Sequence, residues 1–332
     1  METEALRLAL DTIANVGLFV RGVRGELTSE DVIIKSDGSP VTAADLAAES
    51  LVVLWLGRND QLGSLPICGE ETSDLLRDPG MKQLRARVHE LVRSVEPDVG
   101  EDDLVDLLDR GSFRPEPGSR STHWVCDPID GTKRYISGHR YSSCLGLVVE
   151  GQLRAGAIAC PDLCGASGAP LGEPDARGSL YGARSGGGAF LIESLADGSS
   201  GEKHTLEVPS GPPDASSLRI ARSVGGTSLR SGLREHILDA GLEPIPVNID
   251  NQCKYVALVT GRADVLFQYG DDDGPKCSWD FAPGVLLATE AGAEVLDRDG
   301  GGFDFDQGPF LLANRGLRAC RAELMELLLS VE

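Results

Sequence analysis

The chain has 332 residues, 41% of them hydrophobic, and carries 31 Lys and Arg against 52 Asp and Glu, a formal net charge of −21. That excess of acid opposes non-specific binding to nucleic acid polymers and to anionic membrane surfaces, so any anionic ligand must be met by metal or by locally placed cations. The length allows one large or two moderate cores, and no apolar run is long enough to span a bilayer.

In chain order, early acids and helical periodicity predict a helix over 4–23 and no cleavable basic-apolar leader, which makes the cytoplasm the expected location. A second helix is expected over 43–59. Leu65-Pro66-Ile67-Cys68 reads as a short strand that ends at Gly69-Glu70-Glu71-Thr72, where a carboxylate can stand at the rim of a sheet. Residues 75–108 are charged and helical and are expected to cap a cleft. Apolar runs at 143–149 and 153–159 read as strands. Residues 178–190 read as two strands joined by a tight turn at Gly186-Gly187-Gly188, not as a dinucleotide fingerprint.

The stretches 164–177 and 195–203 are rich in turn residues, which places a domain boundary around 165–205; we divide the chain into 1–170 and 171–332. Further elements are expected at 218–223, 229–240, 255–260 and 265–268, with a helix after Asp280. Asp271-Asp272-Asp273 lacks the spacing of a calcium loop and reads as solvated loop. The eight cysteines include no Cys-x-x-Cys; the closest pair, Cys160 and Cys164, reads as small buried apolar residues that could pair under oxidation. The histidines are scattered, there is no Gly-x-Ser-x-Gly, and His123 reads as a partly exposed structural residue.

The most informative stretch is Trp124-Val125-Cys126-Asp127-Pro128-Ile129-Asp130-Gly131-Thr132. Two carboxylates three residues apart supply hard oxygen ligands of the kind Mg²⁺ takes, and Gly131-Thr132 can offer backbone N–H groups to a phosphate. The same run is also ordinary turn chemistry. Glu70 and Glu71 read equally as surface charges. Asp280, before an apolar helix, reads equally as an N-cap.

Taken together, Gly69-Glu70-Glu71, Trp124-x-x-Asp127-Pro128-Ile129-Asp130-Gly131-Thr132, Trp279-Asp280-x-Ala282-x-Gly284 and Glu290-Ala291-Gly292 resemble the lithium-sensitive, Mg²⁺-dependent phosphatases of the inositol monophosphatase superfamily. Lys35-x-Asp37-x-Ser39-Pro40-Val41-Thr42-x-Ala44-Asp45, Asp130-Gly131-Thr132-Lys133 and Asp250-Asn251-Gln252-Cys253-Lys254-Tyr255 look most similar to its 3'(2'),5'-bisphosphate nucleotidase branch.

The resemblance implies an α+β fold, a layered αβαβα sandwich, acting as monomer or homodimer on a small phosphorylated substrate. It implies two or three Mg²⁺ ions, the first held by Glu70, Asp127 and the carbonyl of Ile129, the second by Asp127, Asp130 and Asp280. Asp45 and Thr132 would activate water, with Glu70 among the catalytic residues. Asp130, Gly131, Thr132, Ser223, Asn251 and Lys254 would contact substrate, with Lys133, Arg134 and Arg140 as further local cations. Adenosine 3',5'-bisphosphate is the expected substrate. Gly225 stands where the branch carries His and Gln268 where it carries Arg, so an inositol or sugar phosphate such as fructose 1,6-bisphosphate is the alternative. A metal-binding regulatory protein without turnover is the alternative from another class.

Overall fold

The computed structural model describes residues 1–165, 171, 175–209, 216–223, 231–268 and 276–329. The amino-terminal part runs α1 (Glu2–Val23), the hairpin β1 (Val32–Ile34) and β2 (Pro40–Thr42), α2 (Ala43–Gly57), β3 (Ile67–Gly69), then α3 (Asp74–Arg77), α4 (Lys82–Arg93) and α5 (Asp103–Gly111). Next come β4 (Thr122–Asp130), α6 (Thr132–Ile136), β5 (Ser142–Val149), β6 (Gln152–Cys160), β7 (Ser179–Arg184), β8 (Gly188–Ile192) and β9 (His204–Leu206). The carboxyl-terminal part holds β10 (Ser217–Arg222), α7 (Ser231–Asp239), β11 (Glu243–Asn248), α8 (Cys253–Val259), β12 (Val265–Gln268), α9 (Ala282–Glu290), β13 (Glu294–Leu296), β14 (Leu317–Cys320) and α10 (Ala322–Leu329).

Beside the β1–β2 hairpin there are two larger sheets, one of seven strands ordered β3-β4-β5-β6-β7-β8-β9 and one of five ordered β11-β10-β12-β14-β13. Strand alternation assigns each face. In the first sheet Trp124, Cys126, Leu145, Leu147, Ala157 and Ala159 pack with α1 and α2, whereas Val125, Cys144, Val148, Ile158 and Cys160 pack with α8 and α9. In the second, Ala221, Leu266 and Ala319 face α8 and α9 while Ile220, Val265 and Cys320 face α7 and α10. The result is an α+β sandwich in αβαβα order.

The division expected at residue 170 falls between β6 and β7, whose antiparallel register, Ala155 with Arg184 through Cys160 with Ser179, continues the first sheet across it. Helices α4 and α5 differ from the expectation that 75–108 caps the cleft: Leu84, Val88, Leu91, Leu104 and Leu108 bury their apolar faces in the core shared with α2. His123 is 2% exposed rather than partly exposed; its ring packs 5.6 Å from Phe113, and burial lowers its pKa to about 4. The eight cysteines are free thiols, and the sulfur nearest Cys160 is Cys253 at 3.5 Å, not Cys164. Asp271, Asp272, Asp273 and Gly225 lie outside the described residues.

Helix α9 approaches the first sheet over a cross-strand glycine pair, Gly146 and Gly156, where added Cβ atoms would stand 3.5 and 3.3 Å from Pro283. Pro283 sits in the first turn, where its missing N–H costs no helical bond. At the next residue the Tyr255 ring lies on Gly284, and a Cβ there would fall 2.3 Å from Tyr255 Cδ2. Gly284→Ala is therefore expected to overpack this seam and cost about 1–3 kcal/mol, read as a lowered urea midpoint; an unchanged midpoint would show that α8 and α9 are not in this contact.

Candidate active site

Residues three apart on a regular strand point to opposite faces. Between Asp127, opposite Cys144, and Asp130, opposite Ser142, the β4–β5 register shifts. Pro128 lies inside that irregularity and cannot donate to the ladder. The shift turns both carboxylates to one side, where they meet Asp280 from the turn before α9: carboxylate oxygens of Asp127, Asp130 and Asp280 all lie within 4.8 Å of one another. Asp280 is not an N-cap, since Phe281 holds that position and no side-chain cap bond forms there. Glu70 lies outside this threesome but shares a carboxyl hydrogen bond and charge with Asp127, and it feels the charge of Asp280.

The strand end that carries Glu70 pairs in parallel with β4, Gly69 opposite Cys126, and the Glu70 N–H donates to Cys126 O at 3.2 Å. Lys35 closes over it from the hairpin, with Nζ 2.7 Å from Glu71 Oε1 and 3.7 Å from Glu70 Oε1. Behind β3, the Glu71 N–H donates to Glu49 Oε2 at 2.9 Å.

Asp45 is buried and fully occupied. Its Oδ2 accepts from Thr42 Oγ1 at 2.6 Å and Thr42 N at 2.8 Å, a capping box that starts α2, while Oδ1 accepts from Thr132 Oγ1 at 2.9 Å. Thr132 Oγ1 is also 3.2 Å from Ile129 O. Its single proton serves one acceptor at a time, and the hydroxyl oxygen keeps lone pairs for a donor on its other side. Gly131, which precedes Thr132, has φ +95°, and a Cβ on it would meet Asn251 Nδ2 at 3.0 Å; both facts select glycine.

The 250–255 segment closes the site from the other half. Asn251, at φ +54°, gives Nδ2 to Arg140 O at 2.9 Å and takes Ser142 Oγ and Cys253 N on Oδ1. The Gln252 N–H donates to Asp130 Oδ2, and Ser142 Oγ lies 3.2 Å from the same oxygen, its one proton serving either Asp130 or Asn251 at a time. The Gln252 side chain spans to the Asp280 segment, donating to Trp279 O and accepting from Gly284 N, each at 2.9 Å. Lys254 is 3% exposed and donates to Ser223 Oγ at 3.2 Å. Arg134 pairs with Asp250 at 2.7 Å, and Lys133 is exposed. Lys35, Ser142 and Gln252 were not singled out from the sequence as site residues, although Lys35 and Gln252 lie within the runs that carry the resemblance.

Crowded carboxylates resist ionisation. Burial, and then neighbouring charge, pushes Asp127 and Glu70 well above the usual carboxylate range. Burial lifts Asp130 to about 6 against the pull of the Gln252 N–H and Lys254, and lifts Asp280 to about 7 with help from Asp130. Burial also raises Asp45 despite its three hydrogen bonds. Burial alone would lower Lys35, but Glu71 and Glu70 outweigh it and raise its pKa, whereas for Lys254 burial prevails over Asp130, Asp250 and Asp280 and lowers it. The donor set is oxygen only, three carboxylates with a fourth beside them, which fits a hard divalent cation and not a soft one.

A sequence profile described as the inositol monophosphatase family matches residues 1–330. The 3',5'-bisphosphate nucleotidase 2 of Arabidopsis thaliana is 32% identical, covering 89% of this chain and 86% of that protein. The 3'(2'),5'-bisphosphate nucleotidase of Oryza sativa is 33% identical, covering 93% and 88%. Among solved structures, Mycobacterium tuberculosis SuhB aligns with a TM-score of 0.60 at 22% identity over 99% of this chain and 96% of that one. CysQ from Bacteroides thetaiotaomicron, described as a bacterial member of the inositol monophosphatase family, aligns at 0.58 and 19% identity over 96% and 97%. Among the described residues no helix is long and apolar enough to cross a membrane.

The carboxyl shifts fix a pH dependence. An unfolded chain releases these protons near pH ~4, whereas the folded site still holds them up to about 6 and 7 at Asp130 and Asp280. The metal-free fold therefore binds more protons than the unfolded chain in that window, so its stability falls as pH rises through it. A divalent cation needs the deprotonated ligands. The gain in Tm on adding Mg²⁺ is expected to be small near pH ~5 and large near pH ~8 in thermal melts; an equal gain at both would contradict the ligand cluster.

Proposed function

Because the chain belongs to the inositol monophosphatase family, whose members are phosphatases, we propose that it is a Mg²⁺-dependent phosphomonoesterase that removes the 3'-phosphate of adenosine 3',5'-bisphosphate to give AMP. The observation that carries this reading is the meeting of Asp127, Asp130 and Asp280 within 4.8 Å, with Thr132, two residues after Asp130, hydrogen-bonded to Asp45. In this reading Glu70, Asp127 and Ile129 O hold one cation, and Asp127, Asp130 and Asp280 another. Bound there, divalent charge makes water nucleophilic near neutral pH and offsets charge on the departing oxygen.

The chain's own residues handle the proton. Thr132 Oγ1, already donating to Asp45 Oδ1, presents a lone pair to the attacking water and relays its proton toward Asp45, whose burial makes it the stronger base. Thr42 keeps the other Asp45 oxygen occupied, so only Oδ1 faces the relay. Asp130, Gly131 and Thr132 line the phosphate that leaves. Lys254, with Ser223 and Asn251 beside it, faces the remaining phosphate of the nucleotide, and its low exposure strengthens that contact. Lys254, with Lys133 and Arg140, offsets the acidic surface. The names of the relatives support the nucleotide over other phosphate esters. Lithium inhibition, a cytoplasmic setting and a monomer or homodimer belong to the same reading.

One feature favours a second substrate class. Gln268 is neutral where the nucleotidase pattern carries Arg, and its Oε1 is buried with no partner among the described residues. A neutral side chain with a free acceptor oxygen there would suit a hydroxyl donor of an inositol or sugar phosphate.

Phosphate release with Mg²⁺ from adenosine 3',5'-bisphosphate, inositol 1-phosphate and fructose 1,6-bisphosphate decides between them. The nucleotide is expected to be preferred, and Lys254→Met to lower kcat/KM for it by about 10–100-fold while sparing inositol 1-phosphate. Preference for inositol or sugar would move the assignment to the second class, and no release from any would contradict an enzyme.

A further inference from the structure

We infer that Glu49 is a positioning residue for Glu70: its buried carboxyl is the stop against which the Gly69–Glu71 backbone is set, so it governs cation affinity without touching cation or substrate. Glu49 lies on α2 one turn after Asp45, on the same face. It is fully buried, and its Oε2 takes the Glu71 N–H at 2.9 Å. Its Oε1 has no hydrogen-bond partner among the described residues.

Two glycines enclose that oxygen. A Cβ on Gly69 would fall 1.7 Å from Glu49 Oε1 and 2.5 Å from its carboxyl carbon, and a Cβ on Gly111 would fall 3.0 Å from the same oxygen. Gly69 is not among the glycines with positive φ. Glycine is therefore required there for space, and the group that takes the space is the Glu49 carboxyl. Glu70 sits between two fixed points, its own N–H on Cys126 O at 3.2 Å and the next N–H on Glu49. Helix α2 thus sets both the Asp45 relay and the direction of Glu70.

The inference rests on the proposed role of Glu70 and its neighbours as cation ligands. It is tested by Mn²⁺ binding to the purified protein without substrate, followed by electron paramagnetic resonance, alongside kcat at saturating Mg²⁺. Glu49→Ala is expected to weaken Mn²⁺ binding about 10–100-fold, as loss of partners behind ligands does, while kcat changes less than about threefold. Glu49→Gln, which keeps the shape and the acceptor, restores wild-type affinity. Gly69→Ala weakens binding in the wild-type background and adds nothing in the Glu49→Ala background, because the space is then free. Should Glu49→Ala not fold, Glu49→Asp, whose carboxyl withdraws from Gly69, is expected to show the same fall. Wild-type affinity in Glu49→Ala or Glu49→Asp, or a Gly69→Ala cost that is the same in both backgrounds, would overturn the inference. Asp127→Asn, at the carboxylate shared by both proposed cation sites, serves as control: if it leaves Mn²⁺ bound as in the wild type, the ligand set itself is wrong and both readings fall.

Discussion

Like charges at close range are the constraint from which the rest of this structure follows. Asp127, Asp130 and Asp280 bring carboxylate oxygens within 4.8 Å, with Glu70 hydrogen-bonded to Asp127 beside them. Without a cation such a group stays folded only by retaining protons, which is why burial and mutual repulsion hold its carboxyls above their ordinary range. The surrounding fold must then be rigid enough to keep the carboxylates together once they ionise.

That rigidity comes from convergence of elements that are distant in sequence. Parallel pairing of β3 with β4 brings Glu70 to Asp127, the irregularity in β4 turns Asp130 toward it, and the glycine pair beneath Pro283 lets α9 carry Asp280 close. Gln252 ties the Asp130 and Asp280 segments together with its backbone and side chain. Every ligand candidate is therefore held by backbone hydrogen bonds or close packing, and not by long flexible side chains.

Much of this was legible in the sequence where local signals are strong. The helices read over 4–23 and 43–59 form as Glu2–Val23 and Ala43–Gly57, and the runs at 143–149 and 153–159 form Ser142–Val149 and Gln152–Cys160, because periodicity and turn residues agree there. Strand β11 was not read because Pro244 and Pro246 argue against a strand. It forms at the sheet edge, where a missing donor is tolerated. The capping alternative for Asp280 could not be dismissed from sequence, since a carboxylate before an apolar helix looks the same whether it caps or points into a site. Glu49 was invisible for a different reason: an acid amid the apolar residues of α2 reads as a helix-surface charge, and only its contact with Gly69 gives it meaning.

The proposed mechanism divides labour between groups that would hold positive charge and groups that would move a proton. In that reading the carboxylate cluster would do the first, whereas Asp45 and Thr132, linked at 2.9 Å, stand outside it and would do the second. Thr132→Ala separates the two. Measured together, Mn²⁺ affinity and phosphate release in this variant test the division most directly. Affinity within about threefold of wild type, with release reduced by about 100-fold or more, is the predicted result. Release at the wild-type rate would contradict the account.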